Sequence, residues 1–76
     1  MKEFIETLIK QLVDKPDNVQ VTEKKGENTI VCEVRVGEGD IGKIIGKKGQ
    51  TAHSLRMLVG AASKKIGKRT ILEILD

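Results

Sequence analysis

Aromatic side chains are almost missing from this 76-residue sequence, in which Phe4 is the only one. Several nucleic-acid-binding modules, among them the RRM, the OB-fold and the cold-shock domain, stack bases on aromatic rings. The composition therefore excludes these modules. A nucleic-acid-binding chain of this composition has to hold bases in an aliphatic groove and contact the phosphates with main-chain amides and lysines.

Cysteine and histidine are equally scarce, with one residue of each type, Cys32 and His53. A single cysteine excludes an internal disulfide, and the two residues together are too few for a zinc cluster. Nothing pairs them into a catalytic dyad, and the basic half of the chain has no carboxylate cluster. We therefore predict that the protein is not an enzyme, binds no metal or cofactor and has no small-molecule substrate.

Long apolar runs are missing too. The longest stretch without charged or strongly polar side chains, residues 57–62, has six residues, whereas a membrane-spanning helix needs about 20. Glu3 and Glu6 stand where a signal peptide would need an apolar core. The sequence predicts a cytoplasmic protein, away from the membrane, formed by one small domain over residues 1–76.

Acidic residues are missing from one long part of the chain. Residues 41–72 contain eight Lys or Arg and no Asp or Glu, whereas the first 40 residues carry a net charge of −3. The overall charge of +3 therefore conceals a one-sided distribution. A basic segment built around the turn Gly46-Lys47-Lys48-Gly49 is typical of a surface that contacts phosphates, and it favours nucleic acid as the ligand.

The N-terminal apolar residues recur with the period of an amphipathic α-helix. We expect this helix to end before Pro16, because the residue preceding a proline is pushed away from helical geometry. The residues that share the apolar face are Phe4, Ile5, Leu8, Ile9, Leu12 and Val13.

Two segments of alternating apolar and polar residues follow. The first contains Val19 and Val21, the second covers residues 29–36, and a polar turn with Gly26 separates them. This pattern predicts an antiparallel β-hairpin. The inward side chains of the second strand are expected to be Ile30, Cys32, Val34 and Val36.

The basic half of the chain predicts two helices and a last strand. Asp40 is a good N-cap for a short helix at Ile41–Ile45, and after the turn at residues 46–49 a longer helix begins at Gln50. Gly67 suits the C-cap of this helix, and residues 70–75 have the β-branched and apolar pattern of a strand. The expected buried face of the long helix is Ala52, Leu55, Leu58, Val59, Ala62 and Ile66.

The element order α-β-β-α-α-β predicts an α+β fold. The hairpin pairs the first two strands antiparallel, and a helical crossover returns the chain to a third strand parallel to the second. We therefore expect a three-stranded mixed sheet with the second strand in the centre and all three helices on one face.

A short helix, a Gly-x-x-Gly turn and a long helix between two strands resemble the core of the K-homology (KH) domain, and residues 44–52 resemble its signature. The element order resembles the bacterial type II arrangement over the whole chain. Ala52 departs from the many signatures that carry a large aliphatic residue there. A KH domain with almost nothing added resembles the small KhpA-type RNA-binding proteins of bacteria.

This resemblance implies single-stranded RNA as the partner, with a role as an RNA chaperone or post-transcriptional regulator. It also implies a homodimer, or a heterodimer with a second KH-containing protein. Small residues and a methionine beside the apolar stripe of the long helix could let a partner helix approach. The predicted dimer interface is accordingly Met57, Gly60 and Ala61.

The Gly-x-x-Gly turn has a physical use of its own, because glycines let the backbone run close to a nucleic-acid strand and the next helix adds free amides and partial positive charge. Such a loop clamps about four nucleotides. Ile41, Ile44 or Ile45 can form one aliphatic wall, and the edge of the central strand around Val34 the other. The predicted RNA-binding residues are Gly42, Lys43, Ile45, Gly46, Lys47, Lys48, Gly49, Gln50, Thr51 and Arg35.

Two other functions fit parts of the sequence. The KH fold could serve as a protein-interaction or dimerisation module without direct RNA contact. A DNA-binding helix-turn-helix fits less well, because the long helix carries mostly small or apolar residues where a recognition helix needs base-reading side chains. Cations near the end of the long helix could extend the phosphate path or only stabilise the helix end; these are Lys64, Lys65, Lys68 and Arg69.

Overall fold

The computed structural model describes residues 1–75. The helices are α1 (Lys2–Lys10), α2 (Ile41–Ile45) and α3 (Gln50–Ile66), and the strands are β1 (Gln20–Lys25), β2 (Thr29–Arg35) and β3 (Arg69–Leu75). Short 3-10 turns lie at Pro16–Asn18 and Lys47–Gly49. The predicted order of elements is confirmed.

The three strands form one mixed sheet in the order β1-β2-β3. β1 pairs antiparallel with β2, with Val21 opposite Val34, and β2 pairs parallel with β3, with Cys32 opposite Leu72. This arrangement confirms that β2 is the central strand. The helical crossover from β2 to β3 explains the parallel pair, since a hairpin cannot join parallel strands.

One hydrophobic core joins all three helices to one face of the sheet. Each helix contributes buried aliphatic residues, and they pack against alternate residues of the strands. The alternation along β2 leaves its other face without a helix in the described part of the chain. The core residues are Ile5, Ile9, Val19, Val21, Ile30, Cys32, Val34, Ile44, Leu55, Val59 and Leu72.

The first helix is shorter than the sequence predicts, because α1 ends at Lys10 and residues 11–12 form a turn. Its apolar stripe is also wider than the surface that the sheet can cover. Ile5 and Ile9 face the sheet, whereas Phe4 is 42% exposed and Leu12 is 39% exposed. Only the middle of the predicted apolar face is therefore buried.

The long helix shows a similar difference. Leu58 is 49% exposed and Ile66 is 50% exposed, although both were expected in the core. Ser63 is buried instead, and its hydroxyl donates a hydrogen bond to the carbonyl oxygen of Lys68. Gly67 adopts a left-handed conformation with φ of 72°, which confirms it as the C-cap of α3.

Candidate nucleic-acid interface

The Gly-x-x-Gly turn is closed by backbone hydrogen bonds. The N–H of Gly46 donates to the carbonyl of Gly42 at 2.8 Å, and the N–H of Gly49 donates to the carbonyl of Gly46 at 3.2 Å. Gly46 has a φ of 74°, and a Cβ atom added there would lie 2.6 Å from the Cβ of Thr51. Glycine is therefore required at this position for both its backbone conformation and its contact with α3.

The second glycine of the turn faces open space. Gly49 also has a φ of 74°, but a Cβ atom added there would meet no atom within 4 Å. Between the glycines, Lys48 has a φ of 55° and is the only residue other than glycine with positive φ among residues 1–75. A bulky residue held in this region carries backbone strain, and such strain is often found in ligand-contacting loops.

The start of α3 offers positive charge to this open side of the turn. Gly49 is its N-cap and supplies no capping side chain, so the partial positive charge of the 17-residue helix stays available there. Lys47 and Lys48 are exposed, and no carboxylate within residues 1–75 pairs with either. An anion approaching Gly49 would meet these charges without competition.

Lys43, by contrast, is already paired. Its Nζ lies 2.9 Å from the Oδ2 of Asp14, and both side chains are largely exposed. The hydrogen bond and the charge of Asp14 raise the pKa of Lys43. Sequence reasoning missed this contact because the two residues belong to segments that only the fold brings together.

The three isoleucines considered for the aliphatic wall have different environments. Ile44 is completely buried in the core, so it cannot line a surface groove, and that alternative is wrong. Ile45 is 42% exposed beside the turn, and Ile41 is partly buried. Ile45 is therefore the isoleucine of α2 that offers the most apolar surface to a ligand.

The opposite wall is not the edge of the central strand, because β2 is hydrogen-bonded on both sides. Val34 is fully buried, and Arg35 pairs with Gln20 of β1 and Leu75 of β3. Alternation along β2 directs Arg35 to the face of the sheet opposite the helices. The central strand therefore offers no free edge for the predicted wall, and Arg35 lies on the sheet face away from the helices.

An open pocket of about 220 Å³ lies between α3 and β3, an outer strand of the sheet. It combines apolar surface with two guanidinium groups, and its residues are Arg56, Val59, Arg69, Thr70, Ile71 and Leu72. Sequence reasoning missed this groove because it assigned the second wall to β2. The parallel crossover rule could have found it, since that rule places β3 at the sheet edge beside α3.

The polar groups of the α3–β3 pocket lack partners within residues 1–75. The Oγ1 of Thr70 is buried without a hydrogen bond, and neither Arg56 nor Arg69 pairs with a carboxylate in this part of the chain. A buried hydroxyl without a partner is unfavourable by about 1–3 kcal/mol. The two guanidinium groups can therefore donate hydrogen bonds to a ligand that brings acceptors.

A second groove of about 220 Å³ runs between α1 and α3 and is mostly apolar. Its residues are Leu8, Gln11, Leu12, Thr51, Ser54, Leu55 and Leu58. Next to it on α3, Met57 is 63% exposed and Ala61 is exposed. A Cβ atom added to Gly60 would meet nothing within 4 Å, so the predicted dimer residues lie on free surface of this chain.

The remaining chemical groups offer no reactive centre. Cys32 is completely buried, and burial raises the pKa of its thiol, as expected for an inert core cysteine. His53 is exposed on α3. Within residues 1–75 no three His, Cys, Asp or Glu side chains come together as metal ligands, and no helix there is long and apolar enough to cross a membrane.

Comparison with solved structures supports the fold. The chain matches a crystal structure of a point variant of Aquifex aeolicus Era bound to GDP and aluminium fluoride, with a TM-score of 0.68 and 25% identity. The match covers 96% of this chain and 28% of that protein. Era in complex with MgGDPNP and nucleotides of 16S ribosomal RNA matches with a TM-score of 0.67, at 24% identity over the same shares of the two chains.

Comparison with known sequences covers the whole chain. The RNA-binding protein KhpA of Aquifex aeolicus is 49% identical over 76 residues, which is 100% of this chain and 96% of the relative. KhpA of Clostridium acetobutylicum is 47% identical over 99% of this chain and 100% of its own length. The family described as KhpA/KhpB, KH domain, which is not a family of enzymes, matches residues 2–74. The chain therefore belongs to the KhpA/KhpB KH-domain family.

Proposed function

We propose that this protein binds single-stranded RNA without catalysis and acts in the cytoplasm as an RNA chaperone or post-transcriptional regulator. The observation that carries the proposal is the open side of the turn at Gly49, flanked by unpaired Lys47 and Lys48 and by the start of α3. The relatives named RNA-binding protein KhpA support RNA rather than another anion.

In this proposal the RNA strand runs from the glycine turn along α3. The turn contacts the phosphates, and unpaired bases enter the groove between α3 and β3. Arg56 lies seven residues after Gly49, which is about two helical turns along the same side of α3. Guanidinium groups only donate hydrogen bonds, so the groove favours base edges rich in acceptors.

We further propose that the protein works as a homodimer, or as a heterodimer with a second KH-containing protein. One KH domain contacts few nucleotides, and a second domain raises the apparent affinity through its effective concentration. The exposed apolar surface of α3 around Met57 and Leu58, with Gly60 and Ala61 beside it, supports an interface there. The alternative function, an interaction module that contacts no RNA, relies on the same surface but does not need the lysines of the turn.

The test replaces both turn lysines, Lys47 and Lys48, by Asp and measures binding to a pool of single-stranded RNA. We expect binding to be lost while the circular dichroism spectrum and the unfolding midpoint stay unchanged, because exposed loop charges contribute little to stability. The matched control replaces Lys64 and Lys65, two consecutive lysines at the end of α3, by Asp as well. The change in net charge is then the same in both variants. Unchanged affinity in the turn variant would favour the interaction-module alternative.

Salt and strandedness refine this test. If three or four phosphates are contacted, the slope of log affinity against log salt should be about −2 to −3 for a single strand. A groove open to unpaired bases should bind single strands more tightly than duplexes. Tighter binding to duplex DNA would instead support a helix-turn-helix mode.

A further inference from the structure

Two segments far apart in sequence lie against each other at the start of α2. One is residues 14–18, between α1 and β1, and the other is residues 37–43, which lead into the glycine turn. They meet around Asp40, whose residue surface is 2% exposed although its side chain is ionisable. A buried carboxylate is unfavourable unless it is paired or accepts hydrogen bonds.

The carboxylate of Asp40 is held by backbone amides of the first segment. Its Oδ2 accepts a hydrogen bond from the N–H of Lys15 at 2.9 Å, and its Oδ1 accepts one from the N–H of Asp14 at 3.3 Å. Asp40 occupies the N-cap position of α2, but its side chain makes no capping bond to that helix. The prediction that Asp40 is the N-cap residue of α2 is therefore confirmed, although its carboxylate serves a long-range contact instead of a capping bond.

Three further contacts hold the same two segments together, and we call this contact between residues 14–18 and residues 37–43 the joint. The Nζ of Lys15 donates to the carbonyl of Glu38 at 2.9 Å, and Lys43 pairs with Asp14 at 2.9 Å. Gly37 packs so tightly that an added Cβ would lie 3.0 Å from the Cδ of Lys15. The two segments thus form a specific contact rather than a chance approach of loops.

The joint matters because α2 is too short to hold itself in place. A helix of five residues has almost no intrinsic stability. Ile44 is its only buried residue, and its C-terminal end is held where Gly46 packs against Thr51. Asp40, one residue before α2, fixes the other end of the helix, and the glycine turn begins at Gly46, immediately after the helix.

We propose that Asp40 is a positioning residue for RNA binding: by holding the amides of Asp14 and Lys15, it fixes α2 and thereby the glycine turn in the conformation that receives RNA. This inference rests on the proposed function for its consequence, although not for its structural part. Without Asp40 the binding-competent turn would be populated only part of the time, and the apparent affinity would fall by that fraction. Because Asp40 touches no phosphate, the number of phosphate contacts would stay the same.

The experiment compares Asp40→Asn and Asp40→Ala with a core variant, Val21→Ala. Asn keeps the shape and one acceptor, so we expect a weaker effect from it than from Ala. Val21 is 5% exposed in β1, where its truncation lowers stability without touching the joint. Each variant is studied below its unfolding transition, and the folded fraction is checked by circular dichroism.

Two readouts are recorded. The first is amide hydrogen exchange of residues 41–50 without RNA, which we expect to accelerate about tenfold in Asp40→Ala and less in Asp40→Asn, but not in Val21→Ala. The second is RNA affinity against salt, where we expect a loss of about tenfold in Asp40→Ala with an unchanged slope. Replacing Lys47 alone by Gln, a milder change than the double Asp variant, should instead lower the magnitude of that slope by about 0.7, which separates positioning from direct contact.

The outcomes separate the two proposals. Unchanged exchange in both Asp40 variants, or equal acceleration in Val21→Ala, overturns the positioning role. If exchange accelerates but RNA affinity does not change, while the turn-lysine variant loses binding, the proposed function stands and the positioning role in RNA binding fails. If the wild-type protein binds no RNA, the proposed function fails, and exchange alone then decides whether Asp40 orders the turn.

Discussion

Gly46 lies against the first turn of α3 so closely that a Cβ on it would be 2.6 Å from the Cβ of Thr51. Gly49, with the same φ of 74°, faces open space. The two glycines of the turn therefore have different structural roles. The first allows the turn to pack against its own helix, and the second leaves room outside it.

This difference predicts different results for the two alanine variants. Gly46→Ala forces both a steric overlap and a strained φ, so we expect a loss of about 2–4 kcal/mol in the free energy of unfolding. Gly49→Ala meets only the backbone strain, about 1 kcal/mol, but places a methyl group where the RNA backbone should approach. Urea unfolding and RNA titration of both variants check this. Equal stability losses would contradict the assigned packing of Gly46.

The α3–β3 groove predicts a change in base preference. Replacing Arg56 by Gln removes a cationic donor from the pocket and should weaken RNA binding by about 1–3 kcal/mol, mostly for strands that place an acceptor-rich base there. The control is Lys64→Gln, an exposed cation later on the same helix. Titration with single-stranded homopolymers measures the effect. An equal loss for all sequences, with a shallower salt slope, would indicate that Arg56 contacts a phosphate instead.

Thr70 permits a test in which stability and binding move in opposite directions. Its buried Oγ1 has no partner within residues 1–75, so Thr70→Val should leave the free energy of unfolding unchanged or raise it by about 1 kcal/mol. If RNA binding exposes this hydroxyl and a base accepts its hydrogen bond, RNA affinity should fall in the same variant. Unfolding and titration of one sample decide it. A variant that is more stable and binds RNA equally well would show that the hydroxyl has no role in binding.

The oligomeric state can be measured directly. We expect a dimer by light scattering at tens of micromolar, compared with 8.4 kDa for the single chain. Gly60→Phe should give a folded monomer that binds RNA more weakly, because a Cβ atom added at Gly60 meets nothing within 4 Å among residues 1–75 and the ring would project into the proposed interface. Leu58→Gln tests the neighbouring apolar surface. A wild-type mass of one chain removes the homodimer, and an unchanged dimer in both variants places the interface elsewhere.

The lowered pKa of Glu23 predicts how the stability of the fold changes at acidic pH. Burial raises the pKa of its carboxyl, but the backbone N–H of Lys2 and the ammonium of Lys25 lower it by more, and the pKa is below the ordinary 4.5. A group with a lowered folded-state pKa stabilises the fold above its unfolded pKa and loses this effect as the pH falls. Glu23→Gln should thus be less stable than wild type at pH 7, and the gap should narrow as the pH falls below the ordinary pKa of 4.5. Urea unfolding at pH 7 and below that pKa measures it, and a gap that widens in acid would contradict the assignment.

The sequence predicts the fold well because its signals are local. Proline, glycine and alternation mark where elements end, and the crossover rule then leaves few topologies for three strands. The α2 bounds Ile41–Ile45 and the C-cap at Gly67 are predicted correctly for this reason. The glycine turn is also a local feature, which four consecutive residues are enough to indicate.

The features that sequence reasoning missed depend on contacts between distant segments. The pairing of Lys43 with Asp14 and the use of Asp40 by the amides after α1 cannot be inferred from spacing. Periodicity also cannot tell how far a sheet extends beneath a helix. The exposure of Phe4 and Leu58 could therefore not be predicted from the sequence. The second wall of the groove was misplaced because Arg35 was assigned without its strand register.

The hydrogen bond from Lys15 to Asp40 joins residues that are 25 positions apart, so the contact that we propose to position the glycine turn exists only in the folded chain. Ligand binding and folding are then thermodynamically linked. An RNA present at about 100 times its dissociation constant would add about 2.7 kcal/mol to the free energy of unfolding. For a domain of this size that corresponds to a rise of roughly 10 °C or more in the melting temperature. Unlabelled RNA sequences can therefore be ranked for this protein by thermal denaturation alone.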